Sequence, residues 1–134
     1  MTHLDTSFLV DLLRESSRNS TGPATALLDR LGEEELRVGL HVVCELLTGA
    51  EMAERPSLER KRVHDLCASL EVVYPDQRFP PVYARTLAAL EQARQRISTM
   101  DLLIATAALV DAAPLVTRNT RDFARVPGLE LVGY

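Results

Sequence analysis

Apolar positions change their spacing along the chain, and the changes mark out its elements. Thr2 to Leu4 reads as a short buried strand that stops at Asp5. Phe8, Leu9, Leu12 and Leu13 then recur at helical spacing, in a helix starting from Thr6 or Ser7. Ser16 to Gly22 is polar and predicts a loop. Pro23 suits the first turn of a second helix, with Ala26, Leu27, Leu28 and Leu31 on one face and Gly32 ending it. Leu36 to Gly39 predicts a second strand, and His41 to Met52 a third helix. Pro56 opens a fourth helix carrying Leu58, Val63, Leu66, Cys67 and Leu70. Glu71 to Tyr74 predicts a third strand. After a loop over Pro75 to Pro81, a long helix runs to about Arg96. Ser98 to Ala112 predicts a helix that is apolar nearly all round, the mark of a buried element. A fourth strand (Pro114 to Thr117), a short helix (Asn119 to Ala124) and a fifth strand (Leu129 to Val132) complete the order.

Strands alternating with helices imply an α/β fold with parallel pairing. Ligands of such sheets lie outside the carboxyl ends of the strands. The informative polar residues are therefore the acids at strand ends or at the starts of the following helices.

Each such acid has an ordinary explanation. Asp5 sits where an N-cap belongs. Glu45 falls well off the centre of the stripe made by Val42, Val43, Leu46 and Leu47, which makes it a solvated side chain on pattern alone. What keeps it in the set is its place early in the helix after the second strand. Ser98 and Asp101 have capping-box spacing, yet Asp101 opens the most apolar helix of the chain. Asn119 and Asp122 again have cap spacing, with Arg118, Arg121 or Arg125 as surface partners for Asp122. Jointly these explanations weaken, because parallel pairing brings strand ends together. Converging carboxylates stay ionised only if cations neutralise them. Oxygen ligands without Cys or His favour Mg²⁺ or Mn²⁺ over zinc, and such ions suit phosphodiester hydrolysis.

Composition narrows the picture. At 134 residues, 46% hydrophobic and 25% charged, the chain fits one globular domain over 1–134. No apolar run is long enough to cross a membrane, and the N-terminal residues lack a signal-peptide pattern, so the cytoplasm is the expected compartment. Cys44 and Cys67 lie in apolar surroundings and are expected to be buried free thiols. His3, His41 and His64 show no zinc spacing. A net charge of −4 disfavours a broad nucleic-acid surface. Lys61 is, however, the only lysine among 15 basic residues, and arginine is the better bidentate phosphate ligand.

Four segments then carry a resemblance: Leu4-Asp5-Thr6-Ser7, Glu45-Leu46-Leu47-Thr48-Gly49, Thr99 to Ala105, and Val116 to Phe123. In order and spacing they resemble PIN-domain ribonucleases, above all the VapC-like toxins of type II toxin–antitoxin pairs. Each motif alone is weak; the ordered set covers essentially the whole chain. The resemblance implies a three-layer α/β/α fold with a small, mostly parallel sheet of four to five strands and a metal-dependent endoribonuclease site. Asp5, Glu45 and Asp101 match the family's first three acids, and Asp122 the less regular fourth, with Asn119 as another polar ligand position. Thr6 or Ser7, and Thr117, match supporting hydroxyls. Arg14, Arg118 and Arg121 are candidates for flanking phosphates. The implied substrate is structured RNA, often transfer RNA. The implied partners are a second copy of the chain and an inhibitory VapB-like antitoxin.

Rival classes fit less well. A phosphoaspartate receiver needs paired acids after the first strand and a Lys after the last, and Lys61 lies inside a helix. A haloacid-dehalogenase phosphatase needs DxD where this chain has Asp5-Thr6-Ser7. A degenerate PIN domain serving only as a binding module, and a nuclease acting on DNA, remain as alternatives within the fold.

Overall fold

Strand β1 (Thr2–Leu4) is buried along its whole length, as the middle strand of a sheet covered on both faces should be. The computed structural model describes residues 1–134. In it, β1 is flanked by β2 (Leu36–Gly39) and β4 (Leu115–Val116), with β3 (Glu71–Val73) and β5 (Leu131–Val132) at the edges. The order is β3-β2-β1-β4-β5 and every pair is parallel. The chain thus moves outward on one side of β1 and later returns to its other side. The switch point of the sheet lies between β1 and β4, where open α/β sheets hold their ligands.

The helices are α1 (Thr6–Ser17), α2 (Pro23–Leu31), α3 (Leu40–Glu51), α4 (Pro56–Ala68), α5 (Phe79–Gln92), α6 (Thr99–Val110) and α7 (Thr120–Phe123). They complete the three-layer α/β/α arrangement. Helix α6 is the most deeply packed: Leu102, Ile104, Ala105, Thr106, Ala107 and Ala108 are all buried, as its apolar circumference predicts. Gly39 packs so close to it that an added Cβ would stand 3.3 Å from the Ala107 Cβ. The core joins Leu4, Phe8 and Leu9 to Val38, Ile104 and Leu115. No helix is long and apolar enough to cross a membrane.

Boundaries depart from the sequence expectation for local reasons. Helix α1 runs on through Ser17 into the polar stretch. Its Glu15 carboxylate accepts from the backbone N–H of Gly22 (2.8 Å), Ala24 (3.1 Å) and Thr25 (2.9 Å) and from the Thr25 hydroxyl (2.7 Å). Glu15 therefore caps α2 from the neighbouring helix, and the Thr25 donors hold its pKa below the ordinary value. Gly32, at φ +58°, ends α2. Helix α5 stops at Gln92 rather than near Arg96, because Arg94 turns to φ +55°.

Of the cysteine expectation, the burial fails and the free thiols stand. Cys44 is exposed and Cys67 is only partly covered. The stripe of α3 that faces the core is Val42, Leu46 and Ala50, which turns Cys44 outward despite its apolar neighbours in sequence. Both thiols are free, and burial pushes the Cys67 thiol up.

Candidate functional site

Asp5 follows β1 and Thr117 follows β4, so the parallel pairing of these strands sets them side by side. The Asp5 N–H donates to the Val116 carbonyl (2.9 Å), which continues the ladder past the end of the strand. Asp5 occupies the N-cap position of α1 with extended backbone, yet its side chain makes no capping hydrogen bond. Its Oδ2 instead accepts from Thr117 Oγ1 (2.7 Å) and Ser7 Oγ (2.9 Å). The residue is 4% exposed. A carboxylate so deeply placed, held by hydroxyls rather than by a base, is costly unless something else neutralises it.

Glu45 enters from α3, half-buried, with Thr6 Oγ1 donating to its Oε1 (2.7 Å). Asp101 enters from the first turn of α6. Half of the expected capping box is formed: the Asp101 N–H donates to Ser98 Oγ (3.1 Å). Burial pushes the Asp101 carboxyl above its ordinary value. The charges of Asp5, Glu45 and Asp122 push the same way, against the Ser98 hydroxyl. Asp5 and Asp122, from the junctions after β1 and β4, and Glu45, from within α3, therefore all bear electrostatically on Asp101, which opens the helix that follows α5.

The cleft these elements form, about 450 Å³, is lined by Asp5, Thr6, Ser7, Glu45, Asp101, Arg118 and Asn119, with no apolar side chain among them. None of the four acids takes part in an ion pair. Asp122 stands behind the wall: Asn119 lines the cleft, and Asn119 Nδ2 donates to Asp122 Oδ2 (3.2 Å). None of the three Arg partners considered for Asp122 pairs with it, and Arg121 makes no ion pair at all. Arg118 pairs with Asp11, and Arg125 donates to the Arg96 carbonyl.

Comparison with known proteins gives this geometry a family. The sequence model of the PIN domain matches residues 3–129. Ribonuclease VapC2 of Rickettsia felis is 30% identical over 93 residues, 69% of either chain. Ribonuclease VapC1 of the same organism is 36% identical over 98 residues, 68% of this chain and 70% of its own.

The chain belongs to the VapC-type PIN domains.

The crystal structure of VapBC2 from Rickettsia felis, bound to a DNA fragment from its promoter, shares the fold of this PIN domain. The TM-score is 0.90 at 24% identity, over 99% of this chain and 98% of that one. Within the PIN domain, Asp5, Glu45, Asp101 and Asn119 meet at one cleft with Thr6 and Ser7, and Thr117 supports Asp5 from behind. Of the three arginines singled out, Arg118 lines the cleft, Arg14 borders a neighbouring groove that shares Glu45, and Arg121 is exposed and lines neither.

The donor set of this PIN domain fits a hard divalent cation, because it offers carboxylate and amide oxygens with uncompensated negative charge and neither His nor Cys. The acids do not close into a cage: no three acid, histidine or cysteine side chains stand close enough together to grip one ion. Two residues that the sequence did not single out bear on the cleft. Asp11 and Tyr134 hold Arg118 at its rim. The available signal for Asp11 was an acid set among apolar neighbours on α1; Tyr134 gave none.

Proposed function

We propose that this PIN domain is an endoribonuclease dependent on Mg²⁺ or Mn²⁺, and the toxin of a toxin–antitoxin pair. The observation that carries the reading is a polar cleft at the switch point of the sheet whose carboxylates have no basic partner. The naming of the Rickettsia felis relatives as ribonucleases supports the activity.

Asp5 and Asp101 would hold the cation, with Asn119 at the cleft wall and Asp122 behind it. Glu45 would hold a second ion or orient the first through water. When bound, such a cation neutralises charge building on the phosphoryl oxygens and acidifies water for attack. The chain's own part is positioning. Ser7 and Thr117 fix the Asp5 carboxylate, and Thr6 fixes that of Glu45. Net hydrolysis adds water across the P–O3′ bond and leaves a 5′-phosphate and a 3′-hydroxyl. Arg118, which lines the cleft, would contact a flanking phosphate; Arg14 and Arg121, both exposed, would serve more distant ones.

The substrate proposed is structured RNA such as transfer RNA. The proposed partners are a VapB-like antitoxin and a second copy of the chain, acting in the cytoplasm. Solved relatives determined as VapBC complexes support the antitoxin.

The deciding measurement is cleavage of matched RNA and DNA substrates by pure protein with Mg²⁺ or Mn²⁺, after EDTA, and with Asp101→Asn. RNA cleavage is expected to need the metal and to fall by about a thousandfold or more in Asp101→Asn, some 4 kcal/mol of transition-state stabilisation. Undiminished cutting by that variant would sink the assignment. Preferred cutting of DNA would move the substrate. No cutting of either, with binding retained, would leave the binding-module reading.

A further inference from the structure

Arg118 is the only basic residue lining the acid cleft. A guanidinium beside uncompensated carboxylates has an evident destination: paired with them, in the place of a cation. Here it is turned away. Arg118 Nη1 donates to both carboxylate oxygens of Asp11 on α1, at 2.8 and 3.1 Å. The Tyr134 hydroxyl donates to the same carboxylate at Oδ2 (2.6 Å). The Tyr134 ring packs edge-on against the buried ring of Phe8, with centroids 5.2 Å apart, so this donor is fixed in place. Burial, with the bond to Asp11, pushes the phenol well above its ordinary pKa and keeps its proton on it. Arg14 Nη1, at 4.0 Å, is the other cation facing Asp11. The Arg118 backbone, meanwhile, is tied to the cleft. Its N–H donates to Ser7 Oγ (3.1 Å), and that hydroxyl donates to Asp5. The charge therefore hangs from the edge of the acid cluster and is held outside it.

We propose that Asp11 and Tyr134 form a clamp that parks the Arg118 guanidinium and so keeps Asp5, Glu45 and Asp101 free for the divalent cation. Asp11 is a positioning residue that acts through Arg118. An exposed ion pair is a weak tether. Asp11, however, is only 15% exposed while Arg118 is 56% exposed, and the second donor fixes the carboxylate that receives it. The clamp also leaves Nε and Nη2 of Arg118 for a phosphate. The inference rests on the metal-dependent reading above.

The test is Mn²⁺ binding without RNA, read from the EPR signal of the free ion. It compares wild type with Asp11→Asn, Arg118→Ala, the double variant and Tyr134→Phe. Asp11→Asn is expected to bind Mn²⁺ about tenfold more weakly, a loss of about 1.4 kcal/mol. Arg118→Ala and the double variant should bind as wild type. Tyr134→Phe, which changes no charge, should weaken binding in the same direction. The clamp is overturned if Asp11→Asn binds as wild type, or if the double variant stays as weak as Asp11→Asn. It is equally overturned if Arg118→Ala tightens binding as much as Asp11→Asn weakens it, since that is plain through-space charge. Should Asp11→Asn fail to fold, unchanged binding by Tyr134→Phe overturns the clamp. If wild type takes up no Mn²⁺, the metal-dependent reading falls first and this inference with it.

Discussion

Helix α6 carries an acid at each end, and the fold treats the two oppositely. At its C-terminus, where the helix dipole opposes negative charge, Asp111 is surrounded by bases. His3 Nε2 lies 2.6 Å and Arg37 Nη1 3.3 Å from its Oδ2, and its side chain is 4% exposed. His3 and Arg37 are register partners on β1 and β2. Arg37 reaches on to Glu35 (3.1 Å) and Glu71 (3.4 Å). At the N-terminus, where the dipole favours an acid, Asp101 has no base, and three more acids push its pKa further upward. The helix thus satisfies its difficult acid and leaves its easy one unsatisfied. One end of the sheet is finished as structure, and the other gathers acids that no base of the chain pairs with.

The largest expected effect breaks the finished end. Asp111→Ala leaves the buried His3 ring nitrogen and Arg37 Nη1 without their acceptor. Removing one member of a buried charge pair costs about 3 kcal/mol, or roughly 10 °C in Tm for a chain of this size. Urea or thermal unfolding measures it. A loss below about 1 kcal/mol would mean that Glu35 and Glu71 already satisfy Arg37, and the contrast between the two ends would shrink.

How much of this contrast was legible in the sequence depends on how far apart the contacting residues lie. The apolar periodicities place every element, because helix and strand spacings are local. Asp5 and Asp101 were legible as strand-end and helix-start acids. Their lack of a cation was not, since that is a statement about residues far away in sequence. Glu45 shows the limit most clearly. On the helical wheel it leaves the apolar stripe, and the structure agrees, but the same angle that takes it off the core points it along the cleft. For the fourth position the sequence offers both Asp122 and Asn119; the turn into α7 puts Asn119 on the cleft wall, with Asp122 hydrogen-bonded to it. Asp11 with Arg118, and His3 with Asp111, join residues more than 100 apart. Only the strand order brings such pairs together, and no local pattern encodes it.

A smaller effect of opposite sign tests the unfinished end. Asp101→Asn removes one of several mutually repelling charges. It is expected to stabilise the metal-free protein by up to about 1 kcal/mol, the usual exchange of function for stability at a strained site. It should also abolish the stabilisation that Mn²⁺ is expected to give wild type, about 2.7 kcal/mol at a hundredfold excess over Kd and read as a rise in Tm. Destabilisation of the metal-free chain by this variant would show that Asp101 is a structural acid like Asp111.

The smallest effect is the pH response of His3, and its sign follows from burial. Desolvation is the largest influence on the ring and lowers its pKa from the ordinary 6.5. Asp111 pulls the other way and Arg37 reinforces the lowering. Below pH 6.5 the unfolded chain binds this proton before the folded one does. The stability contributed by neutral His3 is therefore complete above 6.5 and declines as pH falls through the folded value. Asp101 has the reverse linkage. Its raised pKa makes acidification from above that value down toward its ordinary 3.8 favourable to the folded state. The two ends of α6 thus answer acid with opposite slopes. Replacing His3 with Gln, which preserves a donor toward Asp111, should remove the first slope and leave the second. Unfolding free energies of wild type and His3→Gln between pH 7.5 and 4.5, measured without metal, separate them. Curves that stay parallel below 6.5 would mean that protonated His3 is accepted beside Asp111, and that Asp111 compensates a second cation as well as Arg37.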